Sequence, residues 1–254
     1  MSSQPNINDK FFDSTYKHAW KKTIPPALTL AEVDFIIDVA GLSPGAHVLD
    51  LMCGYGRHAL ELGKRGIKVT AVDNLQDYVD EVNAAAAKEN LPVNAVCSNA
   101  LDFEFEGAYD AVICMGNSFA FFNKDDSTKL LKNIGGCINQ DGVFIINSWM
   151  IAEVVFKHFQ SQSWHYAGEY KCVLDYRYYT NPARIESEQT IIGPEGSVEV
   201  LNGVDYIFTI DQLSAMCNDA DLSVVSVYGT PRKKKFSLGD VSAYLVIGRV
   251  SPRS

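Results

Sequence analysis

Two carboxylates and a glycine turn have the types and spacing to hold a ligand. In Val48-Leu49-Asp50-Leu51-Met52-Cys53-Gly54-Tyr55-Gly56-Arg57-His58-Ala59-Leu60, an apolar run ends on an acid, passes two glycines and enters a helical pattern. Glycines so placed let the backbone turn tightly and bring its N–H groups against a ligand. A strand, such a turn and a helix form the first unit of a nucleotide-binding α/β sheet, whose ligands sit beyond the carboxyl ends of the strands. Gly54 to Ala59 satisfies G-x-G-x-x-A, so the glycines alone do not choose the cofactor. Asp50 bears on that choice: its carboxylate would repel a pyrophosphate and would hold a cationic or zwitterionic ligand. Asp73 closes a second apolar run at roughly the 20-residue spacing where such folds place an acid on ribose hydroxyls. One carboxylate can accept from both hydroxyls, and such charge-assisted bonds are the stronger kind.

Asp50-x-x-Cys53-Gly54-x-Gly56 resembles the first motif of the class I, Rossmann-like S-adenosylmethionine-dependent methyltransferases of small-molecule type. The resemblance implies that Cys53, Gly54 and Gly56 lie by the methionine part of the cofactor, with Asp50 orienting its amino group. It implies that Asp73 and Asn74 serve the ribose. Family members usually carry an acid and a small residue after the third strand; Asn99-Ala100 stands there, and the Asn99 amide oxygen still accepts a hydrogen bond. Asp102 is the fallback. Tyr109-Asp110-Ala111-Val112 opens the fourth strand in the family's manner, and Met115 would face the cofactor with Gly116. Asn117 and Ser118 then point polar atoms at the reacting centre. Gln140-Asp141-Gly142 replaces the family's frequent Lys/Arg-Pro-Gly and keeps its turn chemistry.

The elements that must position these residues follow from patterning. Polar residues through Lys10 read as mobile, with no apolar core of a leader. An aromatic segment holding Tyr16, His18 and Trp20 follows, and a helix from a Thr29 cap to about Ala40 ends at Gly41. By the resemblance residues 1–45 form a helical lid, with Tyr16 on the cofactor and Trp20 on the substrate. Residues 46–148 and 209–254 would then form the cofactor-binding domain. The expected fold is α/β: a seven-stranded, mostly parallel sheet with helices on both faces and an antiparallel last strand. From Ser148 the composition shifts to aromatic and β-branched residues, which predicts an inserted antiparallel β unit over 149–208. By the resemblance that unit covers the substrate, with Trp149 and Tyr166 as contacts; a homodimer surface is the rival role.

Methyl transfer from a sulfonium is a displacement in which the protein aligns the reactants and excludes water. An oxygen or nitrogen acceptor must also shed a proton. His18, His165 and Asn117 are the candidates to assist, and His58 is the third imidazole near the proposed pocket. The implied cofactor is S-adenosyl-L-methionine, the product S-adenosyl-L-homocysteine, and the acceptor a nitrogen or oxygen of a small metabolite. The Asn/Asp-Pro-Pro-Tyr motif of exocyclic-amine enzymes does not follow the fourth strand, and no metal-ligand spacing occurs.

Composition narrows the classes. Across 254 residues the formal charge is −9 and hydrophobic residues make up 47%. That field opposes nucleic acid and anionic membranes. Arg232-Lys233-Lys234-Lys235 is the one basic run and reads as a solvated loop. Six cysteines without C-x-x-C spacing suggest a reduced, cytoplasmic protein. No apolar run nears the ~20 residues of a membrane span. Two other functions stay open: an NAD(P)-dependent oxidoreductase, permitted by G-x-G-x-x-A, and a non-catalytic binding module on a cofactor fold.

Overall fold

A computed structural model describes residues 6–12 and 15–250. The N-terminal half contains Thr15–Thr23 (α1), Pro26–Val39 (α2), His47–Leu51 (β1), Arg57–Lys64 (α3), Lys68–Asp73 (β2), Gln76–Glu89 (α4) and Val93–Cys97 (β3). Tyr109–Cys114 (β4), Lys124–Cys137 (α5) and Ile138–Ser148 (β5) follow. After them come Ala152–His158 (α6), Gln162–Ala167 (β6), Tyr170–Thr180 (β7), Ala183–Ile192 (β8) and Val198–Tyr206 (β9). Ile210–Asn218 (α7), Leu222–Tyr228 (β10) and Ala243–Arg249 (β11) close the chain.

Seven strands form one sheet in the order β10-β11-β5-β4-β1-β2-β3. Only β11 runs against its neighbours β5 and β10, the expected antiparallel closing strand. Alternation along the central strands sorts their side chains to two faces. Val48, Ala111 and Ile113 meet α2, α3 and α4 through Val33, Ile36, Leu62 and Val82. Leu49, Leu51 and Val112 meet α5 and α7 through Leu130, Ile134, Leu213 and Met216. Because β1, β2 and β4 are parallel and in register, Asp50, Asp73 and Met115 arrive at one edge of the sheet. The strand order reverses between β1 and β4, the kind of place where α/β sheets open a crevice.

β6–β9 form a separate antiparallel sheet of four strands. One face, through Ala167, Cys172, Leu174 and Ile191, packs on Ala19 and Tyr16 of α1. The other exposes Trp164, Tyr166 and Val200.

Several local expectations give way. Residues 6–10 are folded: Asn6 caps the short 3-10 helix Ile7–Lys10 in a box with Asp9. The first helix of the central layer starts at Pro26 rather than at a Thr29 cap, since proline at the first helical position has its φ preset and needs no N–H. That helix buries Val33, Phe35 and Ile36 in the core of the large sheet. α6 had no separate signal in an aromatic-rich stretch; its Val154 and Val155 supply the buried face. In the basic loop Lys233 pairs with Asp38 and Lys234 with Asp240. No helix among the described residues is long and apolar enough to cross a membrane.

Candidate active site

Two cavities meet at the carboxyl edge of the large sheet. Asp50, Met52, Cys53, Gly54, Asp73, Asn99 and Met115 belong to the first. Tyr16, Trp149, His165, Tyr176 and Asp205 belong to the second. Asn8, Phe12, Trp20, Gly116 and Phe121 border both.

The first cavity is built on the turn after β1. The Cys53 amide donates to the Val72 carbonyl at 3.0 Å, which holds the turn on β2. Gly54 has φ +55 and its missing Cβ would stand in open space, so the backbone there presents itself to the cavity. Gly56 has a different task. It does not border the cavity, and a Cβ on it would lie 2.5 Å from the Val82 side chain, so it lets α3 close on α4. The Asp73 carboxylate accepts from the Gly54 amide at 2.8 Å and the Leu75 amide at 3.1 Å. It therefore braces the turn and starts α4 while facing the cavity. Asn74 and Ala100 also border it. Asn99 accepts from the Leu101 amide at 2.9 Å, shaping the loop after β3. The fallback acid Asp102 borders neither cavity.

Asp50 is buried, and its Oδ2 has no hydrogen-bond partner among the described residues. Burial raises its carboxyl to about 7; Arg57 and the Ala59 amide pull it down and Asp73 pushes it further up. The Tyr78 hydroxyl is likewise buried without a partner on the same cavity. Burial raises Asp73 as well, against the amides that hydrogen-bond to it. Arg57 is the one lysine or arginine among the described residues bordering this cavity. An acid with one unpartnered oxygen among the described residues, a second acid, a guanidinium and a backbone free of Cβ suit a zwitterionic nucleoside such as S-adenosylmethionine.

Glu32 fastens the helices behind the turn. Its carboxylate accepts from Arg57, from His58 Nε2 at 3.0 Å and from the Tyr244 hydroxyl at 2.9 Å. The acid assigns the His58 proton to Nε2. Burial and the neighbouring Arg57 lower His58 against the pull of Glu32, so its ring is neutral and structural.

The predicted catalytic residues separate. His18 is exposed on α1 and borders neither cavity, because α1 turns Tyr16, Ala19 and Trp20 inward instead. His165 borders the second cavity from β6. Asn117 is buried at φ +75, and its Oδ1 accepts from Ser148 Oγ at 2.6 Å, Met150 N at 3.1 Å and Trp149 N at 3.2 Å. With that oxygen so occupied, Asn117 positions other groups rather than taking a proton. Its Nδ2 donates to Asp205 Oδ1 at 2.9 Å.

Among the other candidates, Tyr16 borders the second cavity and not the first, stacked on Trp20 at 6.0 Å between centroids. Trp149 lies 6.3 Å from Trp20. Ser118 borders the first cavity and donates to the Met115 carbonyl. Tyr166 points away: strand alternation puts it with Trp164 on the outer face, 66% exposed.

Sequence reasoning missed Asn6, Asn8 and Asp9. The Asn6-x-x-Asp9 spacing was the available signal, a capping box with asparagine and aspartate in its two places. It also missed Asp205. An acid inside a strand carries no mark of the face it takes until its neighbours are known.

Comparison with known proteins follows the same line. Residues 48–142 match the methyltransferase domain family. A glycine/sarcosine N-methyltransferase of Halorhodospira halochloris is 29% identical over 143 residues, 55% of this chain and 53% of that enzyme. The chain thus spans about half the length of the curated relatives it matches. In fold it is similar to an S-adenosylmethionine-dependent methyltransferase from Clostridium acetobutylicum, with TM-score 0.76, 16% identity and 96% and 97% of the two chains covered. It is also similar to the CcbJ methyltransferase of Streptomyces caelestis, with TM-score 0.78, 17% identity and coverage of 90% and 98%.

Proposed function

We propose that this chain, a member of the class I S-adenosylmethionine-dependent methyltransferases, moves a methyl group to a nitrogen or oxygen of a small molecule held in the second cavity. The buried, unpartnered Oδ2 of Asp50 carries this reading. A nicotinamide dinucleotide would bring phosphate charge to that carboxylate, whereas an amino group would give it the donor it lacks.

Asp50 takes the amino group, and Arg57 supplies the positive charge for the carboxylate of the same ligand. Asp73 receives the ribose hydroxyls, and Asn99 with Ala100 lines the adenine end. When bound, S-adenosylmethionine supplies an activated methyl carbon, which the acceptor's lone pair takes as the carbon–sulfur bond breaks with its electrons going to sulfur. Gly116 lies where the cavities join, and Phe12, Trp20 and Phe121 around it exclude water from the transfer. Asn117 holds the 148–150 segment and the strand bearing Asp205 at that junction. His165 is the imidazole on the wall of the second cavity.

The outer face of the β6–β9 sheet, with Trp164 and Tyr166 exposed, is our proposed homodimer contact, which sedimentation of the full chain tests. Six unpaired cysteines accord with a reducing, cytoplasmic setting.

Calorimetric titration with S-adenosylmethionine, S-adenosylhomocysteine and NADPH tests the cofactor. The expected result is micromolar binding of the two adenosyl ligands alone, weakened roughly tenfold or more in Asp73→Ala through loss of charge-assisted bonds. A preference for NADPH would overturn the reading.

A further inference from the structure

The second cavity contains a carboxylate whose side-chain hydrogen-bond partner among the described residues is a neutral amide. Asp205 lies on β9, enclosed by protein yet with a face on the cavity, and its Oδ1 accepts from Asn117 Nδ2 at 2.9 Å. No lysine or arginine borders the cavity among the described residues; its other titratable groups are Tyr16, His165, Cys172 and Tyr176. The neighbouring walls are aromatic: Phe12, Tyr16, Trp20, Trp149 and Tyr176. The amide that fixes the acid's position brings no positive charge, so a bound cation would supply the partner that the ionised carboxylate lacks. Aromatic faces attract the same kind of group, and more strongly where water is excluded.

We propose that Asp205 is the recognition residue for the methyl acceptor, and that the acceptor is a cationic primary or secondary amine carrying no carboxylate beside its nitrogen. The proposal rests on the first cavity being the cofactor site. It sets this chain apart from the glycine/sarcosine N-methyltransferases it partly matches, because an amino-acid carboxylate would enter a cavity with an acid and no guanidinium or ammonium to receive it. It also places the reacting nitrogen: an ammonium on Asp205 sits among the rings that continue, through Trp20 and Phe12, into the wall of the first cavity. Before attack the ammonium gives one proton to the Asp205 carboxylate, which frees the lone pair. The nitrogen leaves as a methylated ammonium, and the protonated acid then releases its proton to water.

The test titrates the full chain, saturated with S-adenosylhomocysteine, with benzylamine, cyclohexylamine and tyramine. Their alcohol counterparts (hydroxyl in place of the amino group) and sarcosine form the comparison. Expected is amine binding roughly ten- to hundredfold tighter than that of the alcohols, a preference lost in Asp205→Asn, and sarcosine weaker than every amine. Asp205→Asn keeps an oxygen for the Asn117 amide, so its unchanged affinity for S-adenosylhomocysteine shows that the variant is folded. Equal binding of amines and alcohols, no amine binding, tighter sarcosine, or a preference that survives in Asp205→Asn overturns the proposal. Failure of S-adenosylhomocysteine itself to bind wild type overturns the cofactor reading instead, so the two failures are distinct.

Discussion

Asn8 and Val204 exchange two hydrogen bonds: Asn8 Nδ2 donates to the Val204 carbonyl at 2.8 Å, and the Val204 amide donates to Asn8 Oδ1 at 2.9 Å. An amide side chain thereby pairs with β9 as a strand residue would, and ties the N-terminal strap to the inserted sheet. Asn6 adds a bond from its Nδ2 to the Phe121 carbonyl at 2.8 Å. The strap is held from both sides of the junction between the cavities.

Asn8→Ala leaves two backbone groups of β9 without partners, at a cost of about 1–3 kcal/mol. Since the strap borders both cavities, we expect S-adenosylhomocysteine affinity to fall roughly tenfold. Amide exchange over residues 6–12 should accelerate, while the melting midpoint drops by roughly 2–4 °C for each kcal/mol lost. Unchanged exchange in the strap would contradict this account.

The two glycines of the turn should separate under substitution. Gly56→Ala meets Val82 at 2.5 Å and stands at φ +73, so it should destabilise the protein by several kcal/mol through overpacking and backbone strain. Gly54→Ala meets nothing within 4 Å and should cost only about 1 kcal/mol of strain at φ +55. Its methyl enters the cavity, so ligand affinity falls while the fold survives. Denaturant midpoints and calorimetry on both variants read the difference.

Cofactor affinity should depend on pH through Asp50. Its carboxyl sits at about 7, pushed up mainly by burial, with Arg57 lowering it and Asp73 raising it; Cys53 and Cys114 are further titratable groups beside it. An ammonium favours the ionised form. Affinity should therefore be full above pH 7 and fall, toward tenfold per unit, as pH drops below it. Proton release on binding near pH 6 is the calorimetric signature, and Asp50→Asn should abolish it.

Glu32 governs acid stability. Burial alone would raise its carboxyl, but hydrogen bonds and charge from His58 and Arg57 outweigh burial and hold it at about 2. The folded value lies below the ordinary 4.5, so the stabilisation is complete above pH 4.5 and is lost as pH falls toward 2. Glu32→Gln leaves Arg57 buried without its charge partner, which costs about 3–5 kcal/mol at neutral pH. Between pH 6 and pH 3 the gap in denaturation free energy between wild type and variant should narrow. A constant gap would mean that Glu32 is held by packing alone.

The central architecture was legible because it is written locally. Alternating apolar runs ending on Asp50 and Asp73, glycine turns and amphipathic helices are short-range patterns, and parallel strands then bring their ends to one edge. Asp50, Gly54 and Asp73 could be found that way, Cys53, Asn99 and Met115 through the family resemblance, and all six border the first cavity. Tertiary structure decided the rest. Gly56 proved to be a packing residue because α4 crosses it, and Glu32 became a buried anchor because α3 and β11 converge on it. Tyr166 turned outward and Asp205 inward by the phase of their strands. That phase depends on which face of the β6–β9 sheet meets α1, a contact between segments far apart in the chain. No local pattern records such a contact, and the residues of the second cavity depend on it.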